Sequence, residues 1–269
     1  MEQQFLEELF QAHQQRRAMP SPQEVCSFIN GLLKILFPEL ADRKYESFRE
    51  LELDYERIKL QVANILEAIK FNLDKSPKHI EEHFFKKLPS IRAQLMTDAE
   101  AISTGDPAAK NISQVIRTYP GFFAIAVYRL AHEFCKLKVP YIPRILTEYA
   151  HSETGVDLHP AATIGSGFCI DHATGIVIGA TTIIGDNVKI YQGVTLGALS
   201  VKKELAKVKR HPTIENNVVI YAGATILGGD TVIGEGSIIG GNVWLTKSVP
   251  PNSRIYYKGH LQQEAAVLA

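Results

Sequence analysis

Two patterns of hydrophobic positions divide the 269-residue chain near residue 155. Before it, apolar residues recur every three or four positions. After it, single aliphatic residues recur about every six, with Gly, Thr and Asn between them. The first spacing is typical of amphipathic helices and the second of a solenoid. Because such a change usually marks a domain boundary, we predict an α-helical N-terminal domain over 1–154, a β-solenoid over 155–252 and a C-terminal tail over 253–269.

The N-terminal segment predicts six to eight helices. Ser21-Pro22-Gln23-Glu24 is a capping box, since Ser21 can cap the helix and Glu24 can reach back to it. Further predicted helix starts are Ser76-Pro77, Thr97-Asp98-Ala99-Glu100 and Asp106-Pro107. The apolar faces are more numerous than one small bundle requires. That favours assembly through the helices, with a self-contained bundle as the alternative.

The second segment repeats an aliphatic residue followed by Gly. The pairs occur at Ile164-Gly165, Ile178-Gly179, Ile184-Gly185, Leu196-Gly197, Leu227-Gly228, Ile233-Gly234 and Ile239-Gly240. Most units also have a small or β-branched residue four positions after the aliphatic one. Six residues make one short strand and one turn, and three units close a triangular coil of about 18 residues whose inward aliphatic side chains stack. With an interruption at 198–212, there is room for about four to five coils.

Composition narrows the function classes. The 29 Lys and Arg residues balance 29 Asp and Glu residues, which argues against non-specific nucleic-acid binding. The 3 cysteines are widely spaced without a Cys-x-x-Cys pair, which excludes a disulfide framework and a thiolate zinc site. The start has no secretory-signal pattern, and no apolar run is long enough to span a bilayer. We therefore expect a cytoplasmic protein without a membrane or nucleic-acid partner.

Three polar clusters interrupt the repeat, at 155–160, 170–175 and 209–212. Asp157 and His172 lie 15 positions apart, which on a coil of about 18 residues places them on adjacent turns with a lateral offset. A local insertion can remove that offset, so we expect Asp157 to lie next to His172. An Asp that accepts from one imidazole nitrogen leaves the other nitrogen as a general base. The alternative is structural: His172 fills a turn and Asp157 caps a strand.

These clusters resemble the serine O-acetyltransferase family. The resemblance rests on the strings Asp157-Leu158-His159-Pro160-Ala161-Ala162, Asp171-His172-Ala173-Thr174-Gly175 and Arg210-His211-Pro212, with Gly105-Asp106-Pro107-Ala108 upstream and Val249-Pro250-Pro251 downstream. It covers about residues 97–252. It implies an α+β protein in which a helical N-terminal domain precedes a catalytic left-handed parallel β-helix built from hexapeptide repeats.

The resemblance also implies the reaction, transfer of acetyl from acetyl-CoA to the hydroxyl of L-serine to give O-acetylserine for cysteine synthesis. The resemblance implies that His172 is the base and that Asp157 orients it. It also implies that His211 is a second histidine that takes part in catalysis or binds substrate. A hydroxyl is a poor nucleophile at neutral pH, so direct attack on a thioester needs such a base.

The same resemblance implies the substrate contacts. Arg210 would bind the serine carboxylate, while Asp106 and Asp171 would hold the ammonium group. A zwitterion needs a cation at one end and carboxylates at the other, and this set supplies both. The backbone near Gly197 and Ala198 is the candidate donor to the oxyanion.

Acetyl-CoA is the expected co-substrate, and no metal is expected. In the family it lies between β-helices of neighbouring subunits. The candidate contacts here are Gly197, Ala198, Ala222 and Lys247, with the lysines of the 200–209 loop reaching toward the phosphates. A solvated charge run is the alternative for that loop.

The resemblance implies a homotrimer or a dimer of trimers. Family members that bind O-acetylserine sulfhydrylase end in Ile, whereas this chain ends Val267-Leu268-Ala269, so that partner stays open. Three other functions compete: a related acyltransferase that uses homoserine or another acyl-CoA, a zinc-dependent carbonic-anhydrase-like β-helix, and a non-catalytic regulatory partner. The second needs converging histidines, for which His159, His172 and His211 are available.

Overall fold

A computed structural model describes residues 1–15, 19–199 and 208–258. Seven α-helices occupy the N-terminal part of these residues. They are α1 (Glu2–Gln15), α2 (Pro22–Leu36), α3 (Phe48–Ala68), α4 (Pro77–Gly105), α5 (Ile112–Thr118), α6 (Pro120–Lys136) and α7 (Ile142–Thr154), with two 3₁₀ helices at Pro38–Leu40 and Lys70–Asn72. Among the described residues, no helix is both long and apolar enough to cross a bilayer.

The sequence signals for helix starts were right at two places and wrong at two. The start at Ser76-Pro77 is confirmed, since Ser76 caps α4 and its hydroxyl accepts from the His79 N–H. The capping box is confirmed, because the Ser21 hydroxyl accepts from the Glu24 N–H and Glu24 accepts from the Ser21 N–H. The start predicted at Thr97 is wrong, since α4 runs through it and the Thr97 hydroxyl donates to Ala93 O one turn back. The start predicted at Asp106 is also wrong. Asp106 ends α4, and the next helix begins after the Asn111 cap.

Fourteen short strands follow within the described residues. They are β1 (Val156–Leu158), β2 (Thr163–Ile164), β3 (Cys169–Asp171), β4 (Ile176–Ile178), β5 (Ile183–Ile184), β6 (Lys189–Tyr191), β7 (Thr195–Gly197), β8 (Thr213–Ile214), β9 (Val219–Ile220), β10 (Thr225–Leu227), β11 (Val232–Ile233), β12 (Ile238–Ile239), β13 (Trp244–Leu245) and β14 (Arg254–Ile255). All their pairings are parallel. Sheet 1 has the order β1-β4-β7-β10-β13, sheet 2 is β2-β5-β8-β11, and sheet 3 is β3-β6-β9-β12-β14.

The three sheets form the sides of a triangular solenoid, which confirms the predicted fold class. Ile178 pairs with Leu196, and Leu196 pairs with Ile226; all three are almost fully buried, so one aliphatic column fills each side. Along sheet 1, one turn takes 18 to 20 residues, except where the interruption lengthens the turn from Thr195 to its partner Thr225. The last turn is shorter, since Ile238 pairs with Arg254, 16 positions on. The solenoid has about five turns and is consistent with the left-handed β-helix.

A buried ion pair joins the helices to the first turn of the solenoid. Asp98 of α4 and Arg129 of α6 are 0% and 5% exposed, and Arg129 Nη2 lies 2.8 Å from Asp98 Oδ1. Arg129 also donates to the carbonyls of Ile164 and Gly165, while Asp98 accepts from the Phe168 N–H. Helix and solenoid therefore share one set of hydrogen bonds.

The segment predicted as a tail begins with strand structure. In β14, Arg254 pairs with Ile238 and Ile255 pairs with Ile239 of sheet 3. Ile255 is partly buried against the core, so the inward aliphatic pattern continues three positions past Asn252. Residues 259–269, which include the chain end considered for the sulfhydrylase, lie outside the described residues.

Candidate active site

The candidate residues gather at two different corners of the solenoid. His172 lies in the turn that leads from β3 in sheet 3 to β4 in sheet 1. His211 packs against Gly179, in the turn that leads from β4 in sheet 1 to β5 in sheet 2. Sheet 1 therefore separates the two histidines. We call the groups the acidic cluster (Asp106, Asp171, His172, Tyr119, Lys189) and the basic cluster (Asp157, His159, Thr181, Arg210, His211).

In the acidic cluster, Asp106 lies at the end of α4 and is held by two donors. Tyr119 Oη donates to its Oδ2 at 2.7 Å, and the Ala108 N–H donates to its Oδ1 at 2.8 Å. These hydrogen bonds, with weaker help from the charges of Lys189 and His172, lower the pKa of Asp106. Asp106 is therefore an anion at neutral pH, suited to an ammonium group.

Asp171 and His172 come next to it from the end of β3. Asp171 Oδ1 lies 3.8 Å from His172 Nε2, and Asp171 Oδ2 lies 2.9 Å from Lys189 Nζ. The backbone of His172 has φ of 50°, a left-handed conformation that is uncommon for a residue with a Cβ. The turn projects the imidazole outward, where the side chain is 74% exposed in the single chain.

Within one described chain, neither a hydrogen bond nor an ion pair joins Asp157 to His172, so the adjacency argued from spacing is wrong. Asp157 Oδ1 instead lies 3.2 Å from Arg144 Nη1. The reason is the length of the first turn. Asp157 pairs with Val177, twenty positions on, which moves it away from the His172 turn. Asp157 also faces outward and keeps 23% of its side chain exposed.

Thr181 fixes His211 in the basic cluster. The Thr181 N–H donates to His211 Nδ1 at 3.1 Å, and the Thr181 hydroxyl lies 2.8 Å from the same nitrogen. Since Nδ1 is an acceptor there, the ring proton is on Nε2. The Thr181 hydroxyl also accepts from the backbone N–H groups of Arg210 and His211. Gly179 makes room, because a Cβ there would lie 2.0 Å from His211 Cδ2.

The surroundings keep His211 uncharged. Burial, followed by the charges of Arg210, Lys209 and His159, lowers the pKa of His211 to about 4. At neutral pH the side chain is a neutral imidazole whose Nε2–H can donate. It is a weak base in this state, which favours a binding role over proton removal.

Lys209 stabilises this turn, because its ammonium group is directed to backbone carbonyls. Its Nζ donates to the carbonyls of Thr181 at 2.8 Å and Pro212 at 3.1 Å, and also to His211 O. Desolvation by these surroundings lowers its pKa. The other lysines of the loop predicted to reach acetyl-CoA, at positions 202, 203 and 207, lie outside the described residues.

The four acetyl-CoA candidates also divide between the corners. Gly197 ends β7 and Ala198 follows it, on the same side of sheet 1 as His211. Lys247 follows β13 on that side and is exposed. Ala222 lies at the other corner, in the turn between β9 and β10, two turns from His172. No single corner of one chain brings the four together.

Sequence reasoning missed three participants, Lys189, Tyr119 and Thr181, and considered His159 only for a metal site. Lys189 left one usable signal, a charged residue inside a solenoid strand. His159 stood in a motif, and burial followed by the charges of Arg144 and Arg210 lowers its pKa. In the part of the chain that the structure describes, no group of three or more His, Cys, Asp or Glu is arranged to hold a metal.

Comparison with known proteins names one kind of enzyme repeatedly. No protein-family model matches the chain. A Synechococcus elongatus protein named "Serine acetyltransferase, plasmid" is 44% identical over 260 residues, which is 88% of this chain and 81% of that protein. A serine acetyltransferase of Bacillus pumilus is 45% identical over 161 residues, 60% of this chain and 72% of that protein.

Solved structures agree with the sequence relatives. Serine acetyltransferase 1 of Entamoeba histolytica, in complex with L-cysteine, has a TM-score of 0.78 and 36% identity, covering 85% of this chain and 86% of its own. The Neisseria gonorrhoeae serine acetyltransferase in complex with serine has a TM-score of 0.62 and 27% identity, covering 89% and 83%. With this fold, these two corner clusters and relatives of such coverage, the chain belongs to the serine acetyltransferase family, whose members are acetyl-CoA-dependent O-acetyltransferases.

Proposed function

We propose that this serine acetyltransferase acetylates the hydroxyl of L-serine, a step toward cysteine, at a site that two neighbouring subunits of a homotrimer build together. The observation that supports it is the division of the candidate residues. The anionic groups for an ammonium are at one corner, and the cationic and neutral donors for a carboxylate are at another. Facing corners of adjacent copies in a threefold ring would join one cluster of each kind.

Serine binds between the two clusters. Its ammonium group is received by Asp106 and Asp171 of one subunit, and its carboxylate by Arg210 of the next. His211 adds its Nε2–H as a second donor to the carboxylate, since the contact with Thr181 leaves that nitrogen protonated. Anchoring both ends of the zwitterion orients the hydroxyl between them.

His172 removes the hydroxyl proton. Its imidazole is exposed in the single chain, where a bound serine and a neighbouring subunit can reach it. Asp157 of that neighbour orients the ring, which gives a use to a carboxylate that faces outward and does not meet His172 in its own chain. The oxygen then attacks the thioester carbonyl directly. The tetrahedral intermediate collapses with cleavage of its C–S bond, and the proton held by His172 passes to the departing CoA sulfur, so that O-acetylserine and CoA-SH are released.

Acetyl-CoA lies in the groove between the same two subunits. Ala222 lines it from the corner of the acidic cluster, while Gly197, Ala198 and Lys247 line it from the corner of the basic cluster. Backbone N–H groups near Gly197 and Ala198 donate to the oxyanion of the tetrahedral intermediate, and Lys247 meets coenzyme phosphate. L-Cysteine, which the Entamoeba relative's structure contains, has the same ammonium and carboxylate as serine. It would compete at this site.

Thiol release from acetyl-CoA tests the proposal. The assay uses wild type and His172→Ala with L-serine, L-homoserine or no acceptor. We expect serine-dependent release that falls about 100- to 10,000-fold in the variant, as for loss of a general base. Release with homoserine alone would contradict serine as acceptor and keep the mechanism. No release from a folded oligomer with any acceptor would contradict the acetyl-CoA reaction and favour a different acyl donor or a regulatory role.

A further inference from the structure

A lysine lies against the carboxylate that follows β3 and the carbonyl that precedes Asp106. Lys189, in β6, places its Nζ 2.9 Å from Asp171 Oδ2 and 2.7 Å from Gly105 O. The Lys189 side chain is 17% exposed and the Asp171 side chain 12%, so this ion pair is largely shielded from water. Removal of one partner from a shielded pair costs more than at a surface salt bridge, because the remaining charge is left without a partner or full hydration.

The contacts of Lys189 come from three separate parts of the chain. Gly105 is the last residue of α4 and directly precedes Asp106, Asp171 ends β3, and Lys189 itself begins β6. Its Nζ also lies 4.6 Å from the centroid of the Tyr191 ring. One ammonium group thus ties the helix that carries one substrate carboxylate to the strand that carries the other.

Lys189 also sets the charge of the cluster. Two neighbouring carboxylates repel each other, and one cation beside them reduces that repulsion. Counted by formal charge, Lys189, Asp106 and Asp171 together carry one net negative charge, which matches the single ammonium of an amino acid. The Lys189 charge contributes to the lowered pKa of Asp106, after the hydrogen bonds from Tyr119 and Ala108.

We propose that Lys189 is a positioning residue of the amino-acid site, which holds Asp106 and Asp171 at the separation that receives one α-ammonium group. This inference rests on the proposed function for the identity of the ligand, L-serine. Lys189 itself does not touch the substrate, because its donors are directed to Asp171 and Gly105.

The test compares Lys189→Met with Lys189→Arg and with a matched control, Lys110→Met. Lys110 is exposed, and its loss removes the same charge outside the cluster. Serine binding to the assembled protein is measured by calorimetry, and KM and kcat are measured for both substrates. We expect Lys189→Met to raise the Kd and KM for serine about tenfold, the value of one charge-assisted hydrogen bond. KM for acetyl-CoA should change less than about twofold.

Serine binding by the charge-conserving variant distinguishes a positioning role of Lys189 from a general loss of structure. Lys189→Arg retains a cation that can donate to both oxygens and should keep the Kd for serine within about threefold of wild type. If Lys189→Met does not fold, Lys189→Gln replaces it, since it keeps a donor for Gly105 and removes the charge. An unchanged or lower Kd for serine in the folded neutral variant overturns the inference, as does an equal effect of Lys110→Met.

The binding measurement keeps the two proposals apart. If wild type binds serine without releasing thiol, the proposed reaction fails, and Lys189 is still judged by the serine Kd of its variants. If wild type releases thiol and the variants bind serine normally, the reaction stands and the role of Lys189 fails. If wild type does not bind serine, the inference is overturned with it.

Discussion

At the scale of single residues, backbone contacts decide what a histidine can do. His172 occupies a strained left-handed turn and projects into solvent. His211 is 7% exposed, and an N–H group donates to its Nδ1. The same type of side chain is therefore proposed as a base at one corner, whereas at the other it is a neutral donor.

The lowered pKa of His211 predicts a pH dependence of stability. The unfolded chain binds this proton near pH 6.5 and the folded chain only near pH 4. As pH falls through that interval, the unfolded state takes up the proton first, so the free energy of unfolding should decrease by at most about 1.4 kcal/mol per pH unit from this residue. Urea unfolding of wild type and His211→Asn from pH 7 to pH 4 measures it.

The free energy of unfolding of His211→Asn should fall less steeply with decreasing pH than that of wild type, but it should still fall. His132 and His159 also have lowered pKa values because of burial, and they remain. His13→Asn, in the exposed helix α1, is the control and should leave the slope as in wild type. Equal slopes for wild type and His211→Asn would show that His211 is protonated at the same pH in both states.

The sequence identified the residue types of the site and missed their partners. Asp171-His172 and Arg210-His211 stand in recognisable strings. Thr181, however, meets His211 from 30 positions away because the solenoid stacks one turn on the next. Such contacts depend on the length of each turn. The same dependence explains why the Asp157 and His172 adjacency was wrong, since the first turn has twenty residues between partners instead of about 18.

At the scale of elements, α4 connects the parts of the molecule. It carries Asp98 into the junction and Asp106 into the acidic cluster. The aliphatic-Gly periodicity predicted the solenoid strands well, because each inward position repeats the same requirement. The middle of α4 was misread, because Asp98 looks like a first-turn residue of a helix but is a buried partner of Arg129.

The junction predicts a large effect for Arg129→Met. Removal of the guanidinium leaves Asp98 buried without its partner and leaves the carbonyls of Ile164 and Gly165 without their donor. The free energy of unfolding should fall by about 3–5 kcal/mol. Chemical denaturation measures it, with Glu56→Gln in the exposed Lys59 pair as the control, expected within about 1 kcal/mol. A change of similar size in both variants would contradict a special role for the buried pair.

At the scale of the whole molecule, the division of the site predicts complementation between inactive subunits. His172→Ala spoils the acidic cluster, and Arg210→Ala spoils the basic cluster. The Arg210→Ala subunit keeps a normal acidic cluster, and the His172→Ala subunit keeps a normal basic cluster. Where these two clusters face each other in a mixed ring, all residues of the proposed site are present.

Each variant alone should be nearly inactive, and equal mixtures dissociated and reassembled should recover about a quarter of wild-type activity by random pairing. Thiol release measures the recovery, and sedimentation measures the oligomeric state of each mixture. A mixture of His172→Ala with Asp106→Ala, both in the acidic cluster, is the control and should recover nothing. If the reassembled mixture of His172→Ala with Arg210→Ala also stays inactive, the two clusters do not meet across subunits.

Among the described residues, the helices pack against the first turn of the solenoid, and this predicts a direction in which the solenoid unfolds. α4, α6 and α7 contact β1 and β3 in the first turn, while the strands β13 and β14 form the far end. A solenoid behaves as a one-dimensional array in which each turn is stabilised by its neighbours, so fraying is expected from the end that no described helix contacts. Amide exchange should therefore quicken from β3 toward β14. The proposed amino-acid site would stay ordered while the part of the proposed coenzyme groove beside β13 and Lys247 opens and closes.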